Sequence, residues 1–361
     1  MQKGTGMEFG IWSNGFRPHT TAARAFEEDL QEIILADKLG CKYAFISEHH
    51  GEEVYIDKVD TIPVPELLMC KAAGLTSQIK MGAAVKLLHL QHPLDVAVQA
   101  ATAQHVIGGD RFIFGFGSGF PTPSFSDARG LSYEERHARM LESHALLLKC
   151  WSTSEPFDWD GRFWKGKGIV ASPKPMHGGT MPMATATEQP EMIRIAGAGG
   201  YTLLSAYLEP AHLLRAKADR YSEAAHAAGI ENPRANIAAS RLVYLSHNRK
   251  QAMDDLRANI DHEIGFQTKR GFVKYARSVF QIEVKGDRLT FDDMVNAGIY
   301  LVGEPDDIAE RLRDFHRDSG GFGTLLLVAG KEWADRERRF KSMRLFMDEV
   351  APKLRDLPAQ I

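Results

Sequence analysis

Continuous apolar runs alternate with amphipathic stretches along the whole chain. MEFGIW (7–12), YAFIS (43–47), KMGAAVKLL (80–88), RFIFGFGSG (111–119), TMPMATAT (180–187), YTLLSAYL (201–208), NIAASRLVYLS (236–246) and GTLLLVAG (323–330) read as eight strands. Between them lie stretches with helical apolar spacing: 20–40, 65–76, 93–108, 133–151, 190–200 and 210–228, with a closing helix through about 351. The helices at 65–76 and 93–108 start on proline, which suits a first turn, and 20–40 ends on a glycine where a C-cap is expected. Strict β-then-α alternation predicts a parallel sheet covered by helices. Eight such units favour a closed (β/α)8 TIM barrel of the α/β class, a single domain over 1–361. A loop-rich stretch at 152–180 and an overlong seventh unit at 248–300 are expected as excursions over the C-terminal mouth, where such insertions tend to be functional.

Composition adds little beyond exclusions. The 361 residues are 44% hydrophobic and 25% charged, ample for a core. A net charge of −3 gives no reason to expect a nucleic-acid or anionic-membrane partner. Cys41, Cys70 and Cys150 are scattered, odd in number and outside any metal-ligand spacing, so reduced thiols in a reducing compartment are expected. Residues 1–6 lack an apolar signal region, and no apolar run reaches the length of about 18 that spans a bilayer. A soluble, cytoplasmic protein is the expectation.

The chemistry of such barrels sits at the C-terminal strand ends. Here those ends supply Trp12 and Asn14, then Glu48, His49 and His50, then Ala84 and Val85, then Gly117 and Ser118, then Glu188 and Gln189, then Tyr207. Adjacent histidines on a strand point to opposite faces, which disfavours chelation, and no metal is expected. His49 or His50 serves either as a packed, hydrogen-bonded support beside Glu48 or as a neutral imidazole able to move protons near neutral pH. FGFGSGF (114–120) departs from the dinucleotide fingerprint. It is either a tight barrel turn or an opening where a flat ring or a phosphate approaches bare backbone. Trp12, Phe16 and Phe120 suit an apolar substrate pocket, which Asn14, Glu48 and Tyr207 would complete. Phe266, Phe272, Tyr275 and Phe280 give the late insertion an apolar face, for a lid or for simple packing.

SEHHGEE, MGAAVKLLHLQHP, GGDRFIFGFGSGF, YEERHARMLESHALLLKCW and YLVGEPDDIAERLRDFHRDSGGFGTLLL, in this order from Met7 to about Lys353, resemble the bacterial luciferase-like flavin monooxygenases. The resemblance implies a barrel that takes reduced FMN from a separate flavin reductase and uses O2, through a C4a-(hydro)peroxide, to oxidise an apolar small molecule. It implies that His49 is catalytic, handling protons, with His50 structural. Ala84 and Val85 match a pair joined by a non-proline cis peptide against the flavin ring. Gly117 matches a small or thiol residue near that ring.

The sequence also departs from the family pattern. Ser118 stands where luciferase has a phosphate-holding arginine, so the phosphate is expected at Arg136 or Arg139, or at the turn holding Glu188 and Gln189. Relatives are often dimers through helices of the first half, so a homodimer is expected. Hydroxylation, Baeyer–Villiger insertion and aldehyde oxidation stay open. So do two other readings: a deazaflavin-dependent hydride-transfer enzyme on the same fold, and a non-catalytic flavin-binding barrel.

Overall fold

The computed structural model of the chain describes residues 6–17, 20–50, 62–119, 124–269, 271–284, 286–331 and 333–361. Its strands are β1 (Glu8–Phe16), β2 (Tyr43–Ile46), β3 (Lys80–Ala83), β4 (Lys86–Leu87), β5 (Phe112–Gly117), β6 (Phe157–Asp160), β7 (Lys165–Ile169), β8 (Met183–Thr185), β9 (Thr202–Leu204), β10 (Ile237–Leu245), β11 (Tyr300–Gly303) and β12 (Thr324–Lys331). Its helices are α1 (Ala22–Lys38), α2 (Pro65–Ala73), α3 (Pro93–Ile107), α4 (Ser124–Asp127), α5 (Arg136–Ser152), α6 (Pro190–Ala198), α7 (Ala211–Ala227), α8 (Arg249–Lys269), α9 (Phe272–Val279), α10 (Phe291–Asn296), α11 (Pro305–Asp318) and α12 (Arg336–Leu345). A π-helical turn (Phe346–Val350) and α13 (Ala351–Leu354) follow.

Pairing runs β1–β2–β3–β5–β8–β9–β10–β12 and back to β1, all parallel, which closes an eight-stranded barrel. Strands such as YAFI and FIFGFG are buried at every position, as expected where a lumen lies on one side and helices on the other. Tyr43, Phe45, Val85, Leu87, Ile113 and Leu326 pack inside the barrel. Ala44, Ile46, Phe112, Phe114 and Phe116 face the helices instead. The helix starts follow local chemistry: proline opens α2, α3, α6 and α11, Thr21 caps α1, and Thr290 with Asp293 forms a capping box on α10.

Three features differ from the pattern read along the chain. The predicted third strand is broken into β3 and β4 by a cis peptide between Ala84 and Val85. A ninth parallel strand, β11, pairs with the C-terminal half of β10 while β12 takes the N-terminal half. Its apolar run is only four residues long and merges with the polar insertion before it. The stretch 152–180 holds the antiparallel β6–β7 hairpin, and its described contacts include α5 and both ends of α3. Glu142 of α5 accepts from the Phe163 and Trp164 amides at 3.0 Å each, and Trp164 packs on His92 at 5.0 Å.

The insertion at 248–300, called the cap below, packs against strands on one side of the barrel. Leu256, Ile260, Ile264, Phe272, Met294 and their neighbours from α8 to α10 form a second core with Tyr207, Leu242, Tyr300 and Val328, against which Trp12 packs. The rings of Phe272, Tyr275 and Phe280 lie 5.3–6.3 Å apart in this core. They are packing residues of the cap. The Phe266 side chain lies outside the described residues. No described helix is long and apolar enough to cross a membrane.

Candidate active site

The lumen-and-helix alternation of β2 decides what the EHH run does. Tyr43 and Phe45 face the lumen. Extending that alternation puts His49 on the lumen side and Glu48 and His50 on the helix side. The contacts of the latter two agree. His50 Nε2 lies 2.6 Å from Glu48 Oε1, and Lys86 Nζ lies 3.3 Å from Glu48 Oε2 and 3.5 Å from Glu66 of α2. Burial works against the Lys86 charge, but Glu48 and Glu66 outweigh it and hold its pKa above the usual lysine value. Glu48 was expected in the substrate pocket. Its buried carboxylate belongs instead to this network, because a period of two sends it away from the lumen.

The adjoining lumen wall is nearly bare backbone. A Cβ on Gly117 would sit 2.7 Å from Val85 Cγ2 and 3.0 Å from the Ala186 carbonyl oxygen. Glycine is therefore the residue that lets β5, Val85 and the end of β8 meet closely. Ala84 and Ala186 belong to the same lumen cluster, so small residues flank this contact.

Beyond Gly117 the site turns basic. Ser118 Oγ lies 2.8 Å from His137 Nδ1, and His137 Nε2 lies 3.3 Å from Gln189 Nε2, linking the ends of β5 and α5 to the N-cap of α6. The Arg136 guanidinium stacks on Tyr133 at 3.9 Å and donates to the Tyr133 carbonyl at 3.0 Å. Arg139 is buried, 3.8 Å from Glu135 and 4.9 Å from the Phe163 ring. Burial, then the charges of Arg139 and Arg136, push His89 down to about 3, and burial with Arg136 lowers His137.

Two guanidinium groups in the first turn of α5, those of Arg136 and Arg139, with no acid in that turn, oppose the helix dipole. Four buried polar atoms here have no hydrogen-bond partner: Arg136 Nε, Arg139 Nη1, Tyr133 Oη and His89 Nδ1. The N-terminus of α6 likewise lacks a side-chain cap. Buried polar groups are nearly always satisfied, so this convergence fits a bound dianion such as a phosphate. Ser118, Gln189, Arg136 and Arg139 come together here. Glu188 does not join them: its side chain is exposed and pairs with Lys217 at 3.0 Å, which takes it away from this cluster.

The sequence reading missed His137, which bridges Ser118 to Gln189, and the roles of Tyr133 and His89. The signal available was RHAR at the start of a helix, where cations are disfavoured without an anionic partner.

The opposite side of the mouth is apolar. Trp12 packs against Tyr207 with ring centroids 5.2 Å apart and the planes tilted by 56°, and Asn14 is half-buried on the same strand. Gln267 of α8 donates to Tyr207 Oη at 2.9 Å and to Glu263 at 2.9 Å, while Glu263 pairs with Lys331 at 2.8 Å. The cap is thus bound to the ends of β9 and β12 by a buried polar chain. Phe120 and the Phe16 side chain lie outside the described residues. Among the described residues, no group of His, Cys, Asp and Glu is arranged to hold a metal ion.

Residues 7–321 match the model of the luciferase-like monooxygenase family. The chain is 26% identical to 3,6-diketocamphane 1,6-monooxygenase of Pseudomonas putida over 96% of its own length and 98% of that protein. It is 27% identical to limonene 1,2-monooxygenase of Rhodococcus erythropolis, covering 93% of this chain and 83% of that one. A similar solved structure is the oxygenating constituent of 3,6-diketocamphane monooxygenase from the CAM plasmid of Pseudomonas putida, a type II Baeyer–Villiger monooxygenase in complex with FMN. It superposes with a TM-score of 0.82 at 26% identity, covering 97% of this chain and 99% of that one. By its family match, the chain belongs to the luciferase-like monooxygenases and is a flavin-dependent oxidoreductase.

Proposed function

We propose that this chain is the oxygenating half of a two-component system that takes reduced FMN from a separate reductase and oxidises a small apolar alicyclic ketone. One oxygen atom of O2 enters the C–C bond beside the carbonyl, giving a lactone, and the other leaves as water. The observation that carries the cofactor reading is the set of orphaned donors around Arg136, Arg139, Tyr133 and His89, reached from the bare Gly117 wall. The substrate class rests on the relatives named for a diketocamphane and for limonene, and on the apolar Trp12–Tyr207 side of the mouth.

When bound, reduced FMN supplies the electrons that activate dioxygen. The chain's own residues do the rest. Ser118, His137 and Gln189 orient the phosphate, and Arg136 and Arg139 neutralise it. Gly117 lets Val85 and the end of β8 pack closely, which shapes the wall beside the ring. His49 holds and moves a proton at its imidazole beside the reacting atoms. The cap formed by α8–α10 excludes water, which protects the oxidant from unproductive decay.

A homodimer completes the reading. Leu67 is 70% exposed on α2 and Val106 62% exposed on α3, with Val64 and Leu75 also exposed at the ends of α2. These residues suit an apolar interface between two copies.

The test supplies photoreduced FMN and air to the purified chain with a bornane-type diketone and, separately, with limonene. Mass spectrometry should find a lactone one oxygen heavier than the ketone. An epoxide from limonene with the ketone untouched would move the substrate class to cyclic alkenes. Flavin reoxidation with no organic product from either would refute the oxygenase.

A further inference from the structure

A second recess, of about 360 Å3, lies on the outer side of the barrel between the loop after β9, the residues leading into β11, and α11. Leu208, Pro210, Phe280, Ile299 and Phe315 supply apolar walls, alongside the charged Glu209, Arg311, Asp314 and Asp318. At its inner end is Arg241, three residues along β10 from the lumen-packed Ala238 and therefore on the opposite face of the strand.

Arg241 is 6% exposed. Its Nη1 donates to the Ser240 carbonyl at 2.7 Å, its Nη2 to the Glu209 carbonyl at 2.6 Å, and its guanidinium lies 3.3 Å from the centre of the Phe315 ring. These partners fix the group in place, but none is a carboxylate. The acids that share the recess have other partners: Glu209 pairs with Lys217 at 2.8 Å, and Asp314 and Asp318 share Arg317 at 2.6 and 3.1 Å. Burial pushes Arg241 down to about 9, with Glu209 opposing only part of that effect. A buried charge is ordinarily paired, because desolvation without a counter-ion is costly.

We propose that the recess is a binding site for a small apolar carboxylate, its anionic end on Arg241 and its body against Leu208, Phe280 and Ile299. A planar, forked guanidinium suits a carboxylate better than a point anion. The site is separate from the flavin end of the mouth but shares one wall with the substrate side. Tyr207 lines the recess and also packs against Trp12. An occupant therefore braces a ring of the substrate pocket without entering it.

Calorimetric titration of the full chain with cyclohexanecarboxylate, and with cyclohexanecarboxamide as the neutral match, tests this. Saturable carboxylate binding is expected, weakened about tenfold or more in Arg241→Met, partly kept in Arg241→Lys, and untouched by saturating FMN. The carboxamide should bind more weakly by a similar factor. No saturable binding, binding unchanged in Arg241→Met, or displacement by FMN would each overturn the assignment. If Arg241→Met does not fold, Ile299→Trp fills the recess and leaves the guanidinium. Carboxylate binding that survives that change overturns it equally.

Discussion

His50 Nε2 and Glu48 Oε1 lie 2.6 Å apart on the helix side of the β2 end, so the two histidines of the EHH run have different surroundings. The account expects their removal to have different consequences. His49→Asn should keep FMN affinity but lower product per O2 consumed by about a hundredfold, the missing oxygen appearing as hydrogen peroxide. His50→Ala should leave that ratio intact. An oxygen electrode, read with and without catalase, distinguishes the two. The same uncoupling from His50→Ala alone would reverse the assignment.

Glu48→Gln removes the acid that Lys86 and His50 share. Lys86 keeps Glu66, so the loss is expected to be about 3 kcal/mol of stability rather than a failure to fold. Denaturant unfolding at neutral pH measures it. A variant as stable as the parent would show that the network contributes nothing to the fold.

Arg136 and His137 are expected to hold the phosphate rather than the ring. Arg136→Gln or His137→Gln should weaken FMN binding about tenfold or more, while riboflavin, which has no phosphate, should bind the parent and the variants alike. Equal losses for both flavins would place these residues against the ring instead.

Gly117→Ala puts a methyl 2.7 Å from Val85 Cγ2. Overpacking of this kind costs about 1–3 kcal/mol, and Val85→Ala in the same chain should recover much of it by removing the clashing methyl. A Gly117→Ala variant with unchanged stability and FMN binding would contradict the close approach at this wall.

Two buried histidines make stability depend on pH. His89 is pushed from 6.5 to about 3, by burial and then by Arg139 and Arg136, and His144 is pushed from 6.5 to about 4 by burial. Between those values and 6.5 the unfolded chain binds protons that the folded chain refuses, so stability must rise with pH across that window. It is fully present above 6.5 and lost progressively as pH falls below it. Unfolding temperature against pH should show this slope, shallower in His89→Gln. A profile flat from pH 4 to 6.5 would contradict it.

The barrel was legible because buried parallel strands are continuous apolar runs, and EHH stood out because polar groups rarely end such a run. Glu48 and Glu188 were not legible as ion-pair partners. Their partners, Lys86 and Lys217, lie on other elements that only the closed barrel brings near. Ser118–His137–Gln189 is hidden for the same reason, since two strand–helix units and the long loop between β5 and α5 meet there. The break at Ala84–Val85 left no trace in periodicity, because small apolar residues continue the run on either side of it. β11 was missed because four apolar residues after a polar insertion are too few to separate from the end of that insertion.

The central claim is tested most directly by a single turnover. Protein loaded with reduced FMN under anaerobic conditions is mixed with isotopically labelled dioxygen and a bornane-type diketone, and label in the product is counted against oxygen consumed. The account predicts close to one labelled oxygen in lactone for each dioxygen used, with little peroxide. Dioxygen converted wholly to hydrogen peroxide, at the rate of free reduced FMN and regardless of ketone, would contradict it.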